Sequence, residues 1–138
     1  MTLENGWVTG FVDGEGCFYV GVNRNREMTV GFQVLPEFTV VQHERDVQLL
    51  HALKTFFGCG VVRTNHGDRM AFRVRGKDDL LKRVIPFFRE HPLMSKKQHD
   101  FEKFCEVLRL MEEGGHLTEA GIGKIRALTS QMNRGQPR

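Results

Sequence analysis

Along this chain the spacing of apolar residues alternates between two periods, and the order of the changes leaves few folds open. Over about Leu3 to Asp13, Leu3, Trp7, Val8, Phe11 and Val12 recur at helical spacing and predict a first helix. Gly14 and Gly16 are expected to end it through positive φ, which glycine adopts without a Cβ penalty. From Cys17 to Asn23 the pattern becomes strict alternation, with Phe18, Val20 and Val22 inward and Tyr19, Gly21 and Asn23 outward. A polar turn at Arg24 to Glu27 follows. Alternation then resumes with Phe32, Val34, Phe38 and Val40 on the buried parity and Gln33, Leu35, Glu37 and Thr39 on the other, and Pro36 points to an irregular or edge position.

The same sequence of periods is then repeated. Val47, Leu50, Leu53 and Phe57 mark a helix over Glu44 to Phe57, closed by Gly58 and Gly60. A second hairpin is expected from Gly60–Asn65 and Arg69–Arg75, with Phe72 and Val74 inward and Ala71, Arg73 and Arg75 outward. A helix over Asp78 to Phe88 stops at His91-Pro92, another runs from about Lys96 to Met111, and Thr118 should cap a last one carrying Ile122, Ile125, Leu128 and Met132. The expected fold is α+β: a four-stranded antiparallel sheet with helices on one face, in the order αββαββα plus C-terminal helices. Residues 1–138 read as one domain with a helical tail from about 116. No internal repeat is present, so any twofold symmetry must come from two copies of the chain.

At 40% hydrophobic and 27% charged residues, 138 residues suffice for one core. No apolar run approaches the roughly 20 residues that cross a bilayer, and the N-terminus lacks a signal-peptide pattern, so a non-secreted, intracellular protein with no membrane partner is expected. The 3 cysteines and 6 histidines show no zinc-ligand spacing, which leaves ordinary buried or half-buried thiols. A formal charge of +3 decides little, but Arg63, Arg69, Arg73 and Arg75 cluster, as do Lys124, Arg126, Arg134 and Arg138.

The stretch Trp7 to Phe18 carries the most chemistry. Gly6 and Gly10 lie one helical turn apart and permit close approach of another helix, and an acid follows at once. Two such helices side by side bring two Glu15 carboxylates together, and like charges at that distance call for a hard divalent cation, Mg²⁺ or Ca²⁺. The string V-T-G-F-V-D-G-E-G-C-F resembles the motif that names the LAGLIDADG endonucleases, Gly10, Asp13, Gly14, Glu15 and Gly16 matching position by position. The resemblance extends through F-T-V-V-Q (Phe38 to Gln42), S-K-K-Q (Ser95 to Gln98) and the C-terminal H-L-T-E-A-G-I-G-K-I-R-A-L-T-S-Q-M-N-R-G. Thr9 and Cys17 depart from the usual string without removing a catalytic group.

What the resemblance implies is a homing endonuclease encoded within an intron, cutting double-stranded DNA to leave 3′ overhangs. Glu15 and the Gly14 carbonyl would bind Mg²⁺, with Ca²⁺ as a non-cleaving substitute, and Gln42 would hold the active-site water network. The ordinary alternative for Gln42 is a cap on the second helix. Lys96 or Lys97 matches the family's lysine, Ser95 standing where some relatives place it. Gly6, Gly10 and Asp13 would lie in a homodimer seam. The localisation implied is the compartment of the encoding genome, an organelle or a prokaryotic cytoplasm.

The outward sheet face offers Tyr19, Asn23, Asn25, Gln33, Thr39, Arg63, Asn65, Arg69, Arg73 and Arg75 for base readout, since arginine pairs bidentately with guanine and Asn or Gln with adenine. Strands of about eight residues reach roughly 26 Å, so two subunits would cover about 15 to 20 base pairs of a near-palindromic site. The alternatives are a maturase that binds intron RNA and a DNA-binding protein that does not cut.

Overall fold

The expected order of elements is realised, with several boundaries moved. The computed structural model describes residues 1–133; Arg134 and Arg138 of the C-terminal basic group lie outside the described residues. Helix α1 (Asn5–Glu15) continues through Glu15, and β1 (Gly16–Arg24) follows without a linker. The glycine-bounded turn expected around Glu15 is therefore corrected: Glu15 closes the helix, and neither Gly14 nor Gly16 takes positive φ. What Gly16 supplies is space, because a Cβ there would lie 2.6 Å from Val12 Cγ1.

Strand β2 (Phe32–His43) pairs antiparallel with β1 from Gly16↔Val40 to Arg24↔Phe32. Its other edge pairs with β4 (Arg69–Val74) only from Phe38 to His43, and β3 (Val61–His66) completes the order β1-β2-β4-β3. Pro36 thus sits where β2 has outrun β4, and its missing N–H is tolerated there. The β1–β2 turn is organised by Asn25, whose Oδ1 accepts from the Glu27 amide at 3.0 Å, and by Gly31 at φ 83°.

A 3₁₀ turn (Glu44–Asp46) leads into α2 (Val47–Phe57), which ends on left-handed Gly58. The next rod consists of α3 (Lys77–Asp79), a π-turn (Leu80–Val84) and α4 (Ile85–Glu90). Pro86 accounts for the interruption, since in a regular helix its ring would strike the Lys82 carbonyl and it has no N–H to bond there; the wider turn lets the rod continue. Then come α5 (Lys97–Glu112) and α6 (Glu119–Thr129), the latter capped by Thr118 as expected, its hydroxyl accepting from the Gly121 amide at 3.0 Å.

Helices α2 and α5 cover one face of the sheet and enclose a core rich in phenylalanine. Fully buried Phe18 has ring centroids of Phe38, Phe101, Phe104 and Phe88 at 5.1, 5.2, 5.3 and 5.6 Å. Ile122, Ile125 and Met132 join the same core, and Asn133 donates from Nδ2 to the Phe18 carbonyl at 3.0 Å on the edge strand β1. The C-terminal helix is thus packed on the domain. Among the described residues no helix is long and apolar enough to cross a membrane.

On the opposite face four residues of outward parity are covered: Gly21, Glu37 (3% exposed), Thr39 (2%) and Ala71 (0%). Parity alone predicts exposure for all of them. Thr39 and Ala71, however, are short side chains on the middle strands β2 and β4 and lie beneath the longer ones around them, whereas Glu37 is covered with Tyr19 opposite it on β1 and Arg75 bonded to its carboxylate.

Candidate active site and nucleic-acid interface

The last backbone hydrogen bond of α1 runs from the Gly16 amide to the Val12 carbonyl, so the carbonyls of Asp13, Gly14 and Glu15 lie beyond it at the negative pole of the helix. Exposed Glu15 adds a carboxylate at that end. These are hard oxygen donors in a region that favours a cation, and they fit Mg²⁺, which takes one or two carboxylates and completes its shell with water and phosphate oxygens. Among the described residues no cluster of three or more His, Cys, Asp or Glu could by itself hold a metal ion.

The site end of α1 is fastened to the start of α5 by a contact that sequence reading does not reveal. Asp13 accepts from the Met94 amide at 2.7 Å and the Ser95 amide at 2.9 Å, and from the Ser95 hydroxyl. Burial acts to raise the Asp13 carboxyl; the Ser95 hydroxyl, the Met94 and Ser95 amides and the Lys97 charge outweigh it and hold the group below its ordinary value. Asp13, expected in the dimer seam, is thus engaged within the subunit. Lys97 donates from Nζ to the Val12 carbonyl at 3.3 Å, whereas Lys96 stands exposed before α5. Of the two lysines the fold brings Lys97 to the end of α1.

Gln42 is half-buried near the end of β2, two residues beyond the Gly16↔Val40 pair and so at the sheet end that carries Glu15. Its amide donates to the Val41 carbonyl at 2.9 Å. The cap on the following turn is His43, whose Nδ1 accepts from the Arg45 amide at 3.1 Å, so the helix-cap alternative for Gln42 is not realised. His43 Nε2 also meets Asp68 at 3.1 Å.

Along α1 the other side is open: a Cβ added at Gly6, Gly10 or Gly14 would meet nothing within 4 Å. Beside this stripe Trp7 is 42% exposed and stacked on Phe11 at 4.7 Å.

Cross-strand register orders the outward face. Cys17, Thr39, Arg73 and Val61 form one row across all four strands, immediately beyond Glu15. A bulge between Thr64 and His66 leaves Asn65 as the extra residue, and its Oδ1 accepts from Arg73 Nη2 at 2.7 Å. Burial, then Arg75, then Arg63 lower the Arg73 pKa, and Arg73 Nε is a buried donor with no partner. Arg75 donates from Nε to Glu37 Oε1 at 2.7 Å. Toward the far end Asn23 is exposed and pairs in register with Gln33, whose Oε1 accepts from Asn25 Nδ2 at 3.1 Å. Tyr19 is half-buried opposite Glu37, while Arg63 and Arg69 are exposed. Thr39 is the member of the expected readout set that the structure takes away: it is buried and donates to the Phe72 carbonyl at 3.1 Å.

The three cysteines are half-buried, and burial, opposed by Arg89, pushes the Cys105 thiol up to about 11.

This α+β architecture is that of the homing endonucleases. The crystal structure of the homing endonuclease I-TnaI superposes with a TM-score of 0.94 at 57% identity, covering 99% of this chain and 92% of that one. The LAGLIDADG endonuclease family model matches residues 8–108, and the chain belongs to that family. I-SmaMI bound to uncleaved DNA target in the presence of calcium ions gives a TM-score of 0.92 at 33% identity, covering 94% of this chain and 45% of that one. The probable intron-encoded endonuclease 2 of Neurospora crassa is 32% identical over 127 residues, 91% of this chain. The chain spans about a quarter, 26%, of that relative's length.

Proposed function

We propose that this protein is a sequence-specific double-stranded DNA endonuclease of the homing type, acting as a homodimer on a long near-palindromic site by Mg²⁺-dependent phosphodiester hydrolysis. One observation carries the reading: the exposed carboxylate that ends α1 adjoins a sheet row bearing Arg73, flanked by Arg63 and Arg75. Three guanidiniums close enough for their charges to disfavour one another suit a polyanion, and a sheet face with outward Arg and Asn suits the major groove.

In this mechanism Glu15 and the Gly14 carbonyl would hold the metal at the scissile phosphate. A divalent ion held by these groups would supply positive charge to stabilise the oxygens of the displacement. Lys97, already against the last turn of α1, supplies positive charge for the developing phosphorane, and Gln42 orients water from the β2 side. Asp13 keeps α1 and α5 in register so that Glu15 and Lys97 address the same phosphate. The open Gly6–Gly10 stripe, with Gly14, forms the seam with the second copy and brings the two Glu15 ends together. Residues 1–138 act as one domain, because α6 shares the core of the sheet, and the protein works in the compartment that holds its intron and target.

The test is selection of cut sites from a randomised duplex library with Mg²⁺, Ca²⁺ or a chelator, alongside sedimentation of the protein–DNA complex. Cutting of a near-palindromic sequence by a 2:1 complex in Mg²⁺, and binding without cutting in Ca²⁺, is expected. Binding to RNA alone, or cutting that survives the chelator, would overturn the reading.

A further inference from the structure

Glu37 lies on the sheet face that the proposed function gives to DNA, yet it is only 3% exposed. A buried acid facing a polyanion is unfavourable twice over, because it loses hydration and repels phosphate. Its geometry shows what it can do there. Glu37 Oε1 accepts from Arg75 Nε at 2.7 Å, while the Arg75 side chain remains 58% exposed. Tyr19 stands opposite Glu37 in register, and Tyr19, Asn23, Leu35, Glu37 and Arg75 border one depression of about 210 Å³.

A guanidinium gripped through Nε is restrained from swinging on its stem and keeps its two terminal amino groups as a parallel pair of donors. That pair fits O6 and N7 of guanine in the major groove. The neighbouring arginine is held differently: Arg73 is gripped by Asn65 through Nη2, so one of its terminal donors is already engaged. We propose that Glu37 is a positioning residue that holds Arg75 as a fixed reader of one guanine in each half of the target. The proposal rests on the DNA-cleaving reading above.

The full chain and its Glu37→Gln, Glu37→Asp and Arg75→Lys variants would each select cut sites from a randomised duplex library, with thermal melts run in parallel. The parent should show one guanine position per half-site whose preference falls about tenfold in Arg75→Lys, which keeps the charge but loses the fork. Glu37→Gln should weaken that same position to a similar extent and leave the others unchanged. Should the Gln variant fail to fold, Glu37→Asp, which keeps the charge but draws it back from the guanidinium, should produce the loss there instead. A folded Glu37 variant with the parental profile at the position lost in Arg75→Lys would overturn the positioning role. An Arg75→Lys profile unchanged in preference, with affinity reduced equally for all sequences, would make Arg75 a phosphate contact and overturn the proposal. A parent that selects no sequence would instead bring down the DNA-cleaving reading, and the role of Glu37 with it.

Discussion

Replacing Asp13 with alanine removes a carboxylate that accepts from the Met94 amide, the Ser95 amide and the Ser95 hydroxyl. A hydrogen bond to a charged acceptor contributes about 1.5–3 kcal/mol when sheltered. These three lie at an exposed junction where water replaces part of each, so the expected loss is about 2 kcal/mol in total. For a chain of this size that corresponds to a fall of about 8 °C in Tm. Its pH dependence identifies the cause. The folded state holds the Asp13 carboxyl below its ordinary value. Its contribution is therefore fully present above the unfolded value of about 3.9, and it is lost as pH falls through the lower folded value. Urea melts of parent and Asp13→Ala from pH 7 downward should differ by a gap that is constant at neutral pH and closes below about pH 4. The oligomeric state at neutral pH should be unchanged. A variant as stable as the parent but dissociated into monomers would return Asp13 to the seam and refute its role as a tether.

Gly10→Leu should break the dimer while leaving the monomer folded, because the position is open in the subunit and close only in the proposed seam; sedimentation velocity reads this directly. Arg73→Ala should weaken recognition at a limited set of base pairs by roughly 1 to 3 kcal/mol, and equal loss across all sequences in a competition assay would assign Arg73 to phosphate instead. Lys97→Ala should slow single-turnover cleavage by about two orders of magnitude, while Lys96→Ala stays close to the parent. The reverse order would return the catalytic role to Lys96.

The parts of this protein that depend on local periodicity were readable from its residues, and those that depend on register between distant segments were not. The sequence of helices and hairpins and the Phe18, Phe38 and Phe72 core positions follow from periods of 3.6 and 2, as does the Thr118 cap from local chemistry. Glu15 emerged from a contiguous string, yet its place at the close of α1 did not, because a glycine at 16 signals an exit from the helix as readily as close packing against Val12. Asp13 and Ser95 lie far apart in sequence, and nothing local to either announces the other. The Glu37–Arg75 pair likewise requires the alignment of β2 with β4, and the burial of Thr39 requires knowing that β2 is a middle strand. Pro86 breaks the helical pattern in plain view, but the π-turn that accommodates it is a choice made by the surrounding packing.

Cleavage by Glu15→Gln tests the central claim most directly. The amide keeps the size of the side chain and removes the charge that would hold a hard cation at the end of α1. In single-turnover assays on the selected duplex with Mg²⁺, the rate should fall by more than about a hundredfold, the upper end of what losing an outer-shell partner of a metal costs. Binding of the same duplex without divalent metal should persist or tighten, since a negative charge facing phosphate has gone from each subunit. A Glu15→Gln protein that cuts the specific site at near the parental rate would show that Glu15 is not the metal ligand, and the mechanism proposed for this protein would fall with it.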